Sequence, residues 1–226
     1  MLTRVFLLLT IMINAEFGFG QDWPNLTKFK EANDKLGAPA KGEMRVVFMG
    51  NSITEGWKDH QPEFFNNKSF INRGIGGQTT PQMLIRFRQD VVNLKPRAVV
   101  ILAGTNDIAG NTGPSSLEMI YDNIVSMAEV ARANGIEAII SSVLPAFDYP
   151  WRPGLDPATK IPALNKMLSG YAAEKGLIYL DYFSAMTDGN NGLRKELTYD
   201  GVHPNRAGYE VMAPLAQKAI DKALAK

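Results

Sequence analysis

VVFMGNSITEGW, residues 46–57, decides how the rest of the chain is read. Val46, Val47, Phe48 and Met49 form a short apolar, partly β-branched run that stops at Gly50-Asn51-Ser52, the pattern of a buried strand ended by turn residues. In an open α/β sheet, ligands bind at the carboxyl ends of the strands, so a hydroxyl at Ser52 stands over an expected crevice. Gly50 is expected to let the backbone turn sharply, and Thr54, Glu55 and Gly56 to open a helix whose free N–H groups face the serine. Two readings of Ser52 are open at this point: a nucleophile at a strand end, or the N-cap of that helix, which serine also suits.

To either side, strand-like and helix-like segments alternate. Residues 25–36 have the spacing of a surface helix, and the first strand begins near Met44. Residues 68–72 form a second strand candidate that runs into Arg73-Gly74-Ile75-Gly76-Gly77, whose glycines imply close backbone approach or positive φ. A helix over residues 81–94 carries Met83, Leu84, Phe87 and Val91 on one side. RAVVILA, residues 97–103, is apolar throughout, as a central parallel strand buried on both faces should be, and ends in Gly104-Thr105-Asn106-Asp107. Residues 115–133 place Leu117, Ile120, Ile124, Met127, Ala128 and Ala131 on one helical face, stopped by Asn134-Gly135. A strand over 136–143 leads into a proline- and aromatic-rich loop, 145–157, with Phe147, Tyr149, Trp151 and Arg152. A helix over 161–175, a strand over 177–180 and a helix over 204–224 begun by Pro204 complete the series. Such alternation implies one parallel sheet with helices on both faces, because each right-handed crossover carries a helix across. It shows no domain boundary.

Length and charge bound the function classes. Of 226 residues, 1–20 are expected to be a secretory signal peptide: Arg4 supplies a positive start, residues 5–13 an apolar run, and Gly18 and Gly20 the small residues of a cleavage site. That run is too short to span a bilayer. Residues 21–226 then form a single domain, exported to a periplasm or secreted, from a bacterial source. A net charge of +1 with no basic block argues against nucleic acid, whose binding rests on phosphate neutralisation. The absence of cysteine excludes disulfides, thiolate chemistry and a lipid-bearing cysteine.

Strand ends carry polar groups of different kinds: Ser52 after the first, Gly76-Gly77 after the second, Asn106 after the third. The fourth contribution is Asp200-Gly201-Val202-His203-Pro204, just before the last helix. A serine hydroxyl is a poor nucleophile until a base takes its proton, and histidine is suited to that near neutral pH. Of the two histidines, His203 has Asp200 three residues earlier to hold one ring nitrogen, whereas His60 reads as a solvated loop residue. The competing reading of residues 200–203 is an aspartate turn that caps the final helix. A glycine N–H, the Ser52 N–H and the Asn106 amide are the donors an oxyanion would need.

These blocks make the chain similar to the SGNH hydrolases, also called GDSL esterases and lipases. The resemblance covers GNS at 50–52, a glycine of GIGGQTT at 74–80, GTND at 104–107 and DGVHPN at 200–205, in the family's order. It implies a three-layer α/β/α, flavodoxin-like fold with a five-stranded parallel sheet. It also implies Ser52 as nucleophile, His203 as base, Asp200 as its orienting carboxylate, and Ser52, Gly77 and Asn106 as the oxyanion hole, with Gly76 the alternative to Gly77. No cofactor or metal is implied. Asn51 departs from the pattern, which usually has aspartate there. The branch resembling platelet-activating-factor acetylhydrolase is nearest, and it implies short, acetyl-like acyl groups on a small-molecule or glycan ester. Trp151 and Arg152 are candidate substrate contacts, against the alternative that Trp151 packs its loop onto the domain. Other readings are a lysophospholipase or thioesterase of the same fold, or a flavodoxin-like binding protein holding a phosphate or cofactor at Ser52-Ile53-Thr54, where the helix after the first strand begins.

Overall fold

The computed structural model describes residues 22–66 and 69–225, so the signal-peptide expectation for residues 1–20 lies outside the described residues. Strands β1 (Val46–Gly50), β2 (Phe70–Gly74), β3 (Ala98–Leu102), β4 (Glu137–Ser141) and β5 (Ile178–Leu180) form one sheet. Their order is β2-β1-β3-β4-β5 and every pairing is parallel, the arrangement of flavodoxin. The helices in chain order are α1 (Lys30–Leu36), α2 (Ser52–His60), α3 (Pro62–Phe65), α4 (Thr80–Asp90), α5 (Thr105–Ile108), α6 (Leu117–Ala133), α7 (Pro157–Lys175), α8 (Phe183–Met186) and α9 (Arg206–Leu224).

The period-two alternation of strand side chains divides the core into two layers. Val47, Met49, Val99, Ile101 and Ile140 pack with Met83 and Phe87 of α4, Ile120 and Ile124 of α6 and Leu164 and Leu168 of α7. Val46, Phe48, Val100, Leu102 and Ile139 pack on the other face with Ile53 and Trp57 of α2, Phe64 and Phe65 of α3 and Met212 and Ile220 of α9. Successive connections leave the sheet in opposite directions between β1 and β3, which opens a crevice at their carboxyl ends. Ser52 and Asn106 follow those two strands.

Several boundaries differ from the sequence reading for local reasons. The first helix starts at Lys30, not near residue 25, because the Asp22 carboxylate accepts the Leu26 and Thr27 N–H groups and Asn25 takes a φ of 56°. The second strand runs Phe70–Gly74, displaced from 68–72, and Lys68 lies outside the described residues. Helix α7 starts at Pro157, four residues before the expected 161, which puts Pro162 inside it. Pro162 cannot donate to the Ala158 carbonyl, and Asn191 Nδ2 takes that acceptor at 2.9 Å. Pro204 does not begin the last helix: Asn205 is its N-cap and accepts the Gly208 N–H, so the helix starts at Arg206.

Two further corrections concern the first strand's end. Asn51, not Ser52, is the N-cap of α2, its Oδ1 accepting the Ile53 N–H at 3.1 Å. An asparagine side chain does this as well as aspartate, since one neutral oxygen suffices. Gly50 is needed for packing rather than for a left-handed turn: a Cβ there would stand 2.0 Å from Thr54 Oγ1.

Candidate active site

Freed from capping, the Ser52 hydroxyl lies 2.9 Å from His203 Nε2. The other ring nitrogen, Nδ1, lies 2.7 Å from Asp200 Oδ2. The second oxygen of that carboxylate accepts the backbone N–H groups of His203 at 2.7 Å and Val202 at 2.9 Å. Partial burial acts to raise the Asp200 carboxyl, but the His203 backbone and ring hydrogen bonds and the Val202 N–H outweigh it, and the group is held below the usual carboxylate range. Thr198 completes the turn. Its Oγ1 donates to the His203 carbonyl at 2.6 Å and accepts the Gly201 N–H at 2.9 Å. Every one of these bonds except the contact to Ser52 is made within residues 198–203.

The glycine turn on the other side of Ser52 is assembled differently. Gln78 donates its N–H to the Ile75 carbonyl at 3.3 Å, closing a four-residue turn with Gly77 in its third position at φ 76°, where a side chain would be strained. Gly76 gives its N–H to Glu55 Oε2 at 2.7 Å, and Glu55 is in turn paired with Lys28. A Cβ on Gly76 would come within 3.9 Å of Ser52 Cβ, so this turn borders the serine. Among the described residues the Gly77 N–H has no partner, while Asn111 Nδ2 holds the Gly77 carbonyl at 3.0 Å. Asn106 is 5% exposed and donates one Nδ2 hydrogen to the Gln78 carbonyl at 2.9 Å, leaving the second hydrogen for another acceptor.

Behind these loops lie two buried charges that the sequence reading did not single out. Asp107 is 2% exposed and accepts the Thr80 N–H and hydroxyl, which ties the loop after β3 to the first turn of α4. Burial pushes its carboxyl up to about 6, against the pull of the Thr80 hydrogen bonds. Arg86 is fully buried: Nη2 donates to the Gly50 and Arg73 carbonyls, Nε to Gln78 Oε1 and Nη1 to Asp90 Oδ2. One guanidinium thus joins the ends of β1 and β2 to the residue after the glycine pair. The available signal was periodicity, since Arg86 lies three residues after Met83 on the apolar stripe of α4.

Aromatic rings surround His203. Tyr199, 63% exposed, stacks on its ring at 5.8 Å, and Trp151, 47% exposed, lies at 5.8 Å on a tilt. Trp151 is thus half exposed beside His203, while its ring also lies 5.4 Å from that of Tyr149, a fully buried core residue of the same loop. Arg152 is occupied elsewhere, since its Nη1 donates to the Ala109 and Gly110 carbonyls and staples that loop to the end of α5. His60 is not a solvated loop residue either. It ends α2, half-buried, with its ring 5.5 Å from Tyr209 and 6.2 Å from Tyr199. Among the described residues, no group of three or more histidine, aspartate or glutamate side chains converges as metal ligands would.

Comparison with known proteins agrees with this architecture. The model of the GDSL-like lipase/acylhydrolase family matches residues 48–211. A GDSL-like lipase from Bacteroides thetaiotaomicron is 46% identical, with a TM-score of 0.86 over 88% of this chain and 98% of the other. Subunit alpha2 of human platelet-activating factor acetylhydrolase IB is 25% identical over 179 residues, 76% of this chain and 75% of that protein. The uncharacterized lipoprotein YqeF of Bacillus subtilis is 32% identical over 129 residues, 50% of this chain, and the match spans about half of that relative's length, 53%.

Proposed function

The chain belongs to the GDSL-like lipase/acylhydrolase family, and from that premise we propose that it is a serine esterase removing short acyl groups, chiefly acetyl, from the hydroxyls of carbohydrates. The carrying observation is the unbroken series from Ser52 Oγ to His203 Nε2, and from His203 Nδ1 to Asp200 Oδ2. In the proposed cycle, His203 takes the Ser52 proton as Oγ attacks the ester carbonyl. The oxyanion is received by the Ser52 and Gly77 N–H groups and the remaining Asn106 amide hydrogen. His203 then gives the proton to the departing alcohol, leaving an acyl-serine. Water, deprotonated by His203, attacks that acyl group, and the serine recovers its proton as the acid leaves. Asp200 stays ionised throughout and stabilises the charged imidazole.

Between the glycine candidates, the turn favours Gly77, because the Gly76 N–H is already given to Glu55. Support for a carbohydrate alcohol comes from the exposed rings of Tyr199 and Trp151 beside His203. An aromatic face can cover the C–H face of a sugar and leave its hydroxyl rim to solvent or polar side chains. Export, and a single hydrolase domain over residues 21–226, belong to the same proposal. They are supported by the pattern of residues 1–20 and by the lipoprotein name of the Bacillus relative. Among the described residues no helix is long and apolar enough to cross a membrane, and a net charge of +1 gives no attraction to nucleic acid.

The test is a panel of p-nitrophenyl esters of increasing acyl length, together with acetylated saccharides, on wild type and Ser52→Ala. Wild type should favour acetate and release acetate from the saccharides. Ser52→Ala should lower turnover by roughly a millionfold, with its melting temperature little changed. Near-wild-type turnover in the variant would remove the serine mechanism, and a maximum at long acyl chains would replace the acetyl reading with a lysophospholipase or thioesterase.

A further inference from the structure

Trp23 is 43% exposed, yet the backbone of its stretch is held by side chains from elsewhere in the chain. Gln82 Nε2 donates to the Trp23 carbonyl at 2.7 Å, Gln78 Nε2 to the Pro24 carbonyl at 2.7 Å, and Gln89 Nε2 to the Leu26 carbonyl. Asp22 caps the same stretch from within, accepting the Leu26 and Thr27 N–H groups. Fixing an irregular backbone costs conformational entropy, which these side-chain hydrogen bonds offset.

Trp23 borders a hollow of about 400 Å³ whose wall also includes Asn25, Gly76, Gly77, Asn111 and Thr112. This hollow touches the glycine turn directly. Gly76 lies against Ser52 on one side, and His203 lies against Ser52 on the other, next to Tyr199 and Trp151. The serine therefore stands between two places where an aromatic ring is exposed.

The lining selects among ligands. Apart from Trp23 and Ile75, the wall is made of amides, a threonine, an aspartate and glycine backbone. Burying an acyl methylene is favourable only against an apolar surface, so these walls do not suit a fatty chain. Asp22 contributes a carboxylate and, among the described residues, no cation lines the hollow, so an anionic headgroup is disfavoured as well. One flat aromatic face beside neutral amide and hydroxyl groups fits a neutral pyranose.

We propose that this hollow is a sugar subsite, with Trp23 as its stacking platform. The substrate is then an acetylated oligosaccharide that spans Ser52, one unit against Trp23 and another toward Tyr199 and Trp151. The inference rests on the carbohydrate reading of the proposed function. Its test uses wild type, Trp23→Ala and Trp23→Phe with p-nitrophenyl acetate and with acetylated mono- and tetrasaccharides of the xylose, glucose and N-acetylglucosamine series.

For the tetrasaccharide that wild type cleaves best, Trp23→Ala should raise KM about tenfold with kcat unchanged, and Trp23→Phe should recover most of the loss. Turnover of p-nitrophenyl acetate should not move. An unaltered KM for the tetrasaccharide overturns the subsite and leaves the carbohydrate reading standing. An equal loss on p-nitrophenyl acetate also overturns it, by showing that Trp23 merely supports the glycine turn. If wild type cleaves p-nitrophenyl acetate but none of the saccharides, the carbohydrate reading fails and the subsite with it, an outcome read on wild type alone.

Discussion

The two flanks of Ser52 are built on opposite principles. On one side, residues 198–203 orient His203 almost entirely through hydrogen bonds among themselves, from Thr198 Oγ1, the Asp200 carboxylate and nearby N–H groups. On the other side, the Gly76-Gly77 turn is held by groups distant in sequence: Glu55 from α2, Asn111 from beyond α5, and Arg86 through Gln78. A local turn needs little of the rest of the molecule to form. The glycine turn depends on the sheet being assembled, because its supports converge only when β1, β2 and β3 lie side by side. Damage to the first flank should therefore abolish turnover and spare the fold, whereas damage to the second should mix the two.

Asp200→Asn tests the local flank most severely. An amide nitrogen facing Nδ1 would impose the wrong imidazole tautomer, so turnover should fall on the order of ten-thousandfold while the fold persists. An unchanged rate would take Asp200 out of the mechanism and leave Ser52 and His203 as a dyad. The same carboxylate makes a stability prediction. Because its pKa is lowered in the folded state, its contribution is present above the ordinary carboxylate range and is lost as pH falls through the lowered value. Thermal melts of wild type and Asp200→Asn should therefore differ at neutral pH and converge in strong acid; a gap that widens as pH falls contradicts the assigned direction.

Arg86→Leu tests the distant flank. It removes the ion-pair partner of the buried Asp90, leaving that carboxylate only amide donors such as Asn33 Nδ2, and takes one donor each from the Gly50 and Arg73 carbonyls, which should cost about 3–5 kcal/mol of stability. Chemical denaturation measures it, and a loss below about 1 kcal/mol would show that the guanidinium is not the tie described.

Asn106→Ala lies between the two extremes. If the Asn106 amide donates to the oxyanion as proposed, its loss should lower kcat about a hundred- to a thousandfold with little change in KM. A raised KM with unchanged kcat would instead make Asn106 a ground-state contact. The smallest effect is expected at Glu55, which is partly exposed and acts on the oxyanion turn only through Gly76. Glu55→Ala should lower kcat about tenfold, a change of ~1.4 kcal/mol, and Glu55→Gln, which keeps an acceptor oxygen, should restore most of it. Failure of glutamine to rescue would mean that the pairing with Lys28 matters more than the hydrogen bond to Gly76.

Much of this molecule is written in local pattern. The apolar runs at residues 46–49 and 97–103 read as buried strands, and their alternation with helices led to the parallel sheet that the structure has. The pairing of Asp200 with His203 was less legible: on its own the stretch read equally as an aspartate turn capping the last helix, and only Ser52, the glycine pair and Asn106 at the other strand ends pointed to the pairing that the structure has. Where a local group had a competitor the structure chose between them: Asn51 took the cap that was one of two open readings of Ser52, and Asn205 took the helix start expected for Pro204.

What only the tertiary structure decided lies at long range. Arg86 looks like one more charge in a helix until the ends of β1 and β2 place two carbonyls against it. Which glycine keeps its N–H free depends on Glu55 reaching across from α2 to Gly76. Trp23 becomes a wall of the active-site surroundings only because three glutamines of the α4 region pin residues 23–26 beside the turn. The sequence by itself determined strands, helices and the chemical kinds of residue at the strand ends, since propensity and spacing act between neighbours. The choice of hydrogen-bond partner for each buried polar group was made by the assembled sheet, since burial removes water as an alternative and leaves each group only what the fold has brought within about 3 Å.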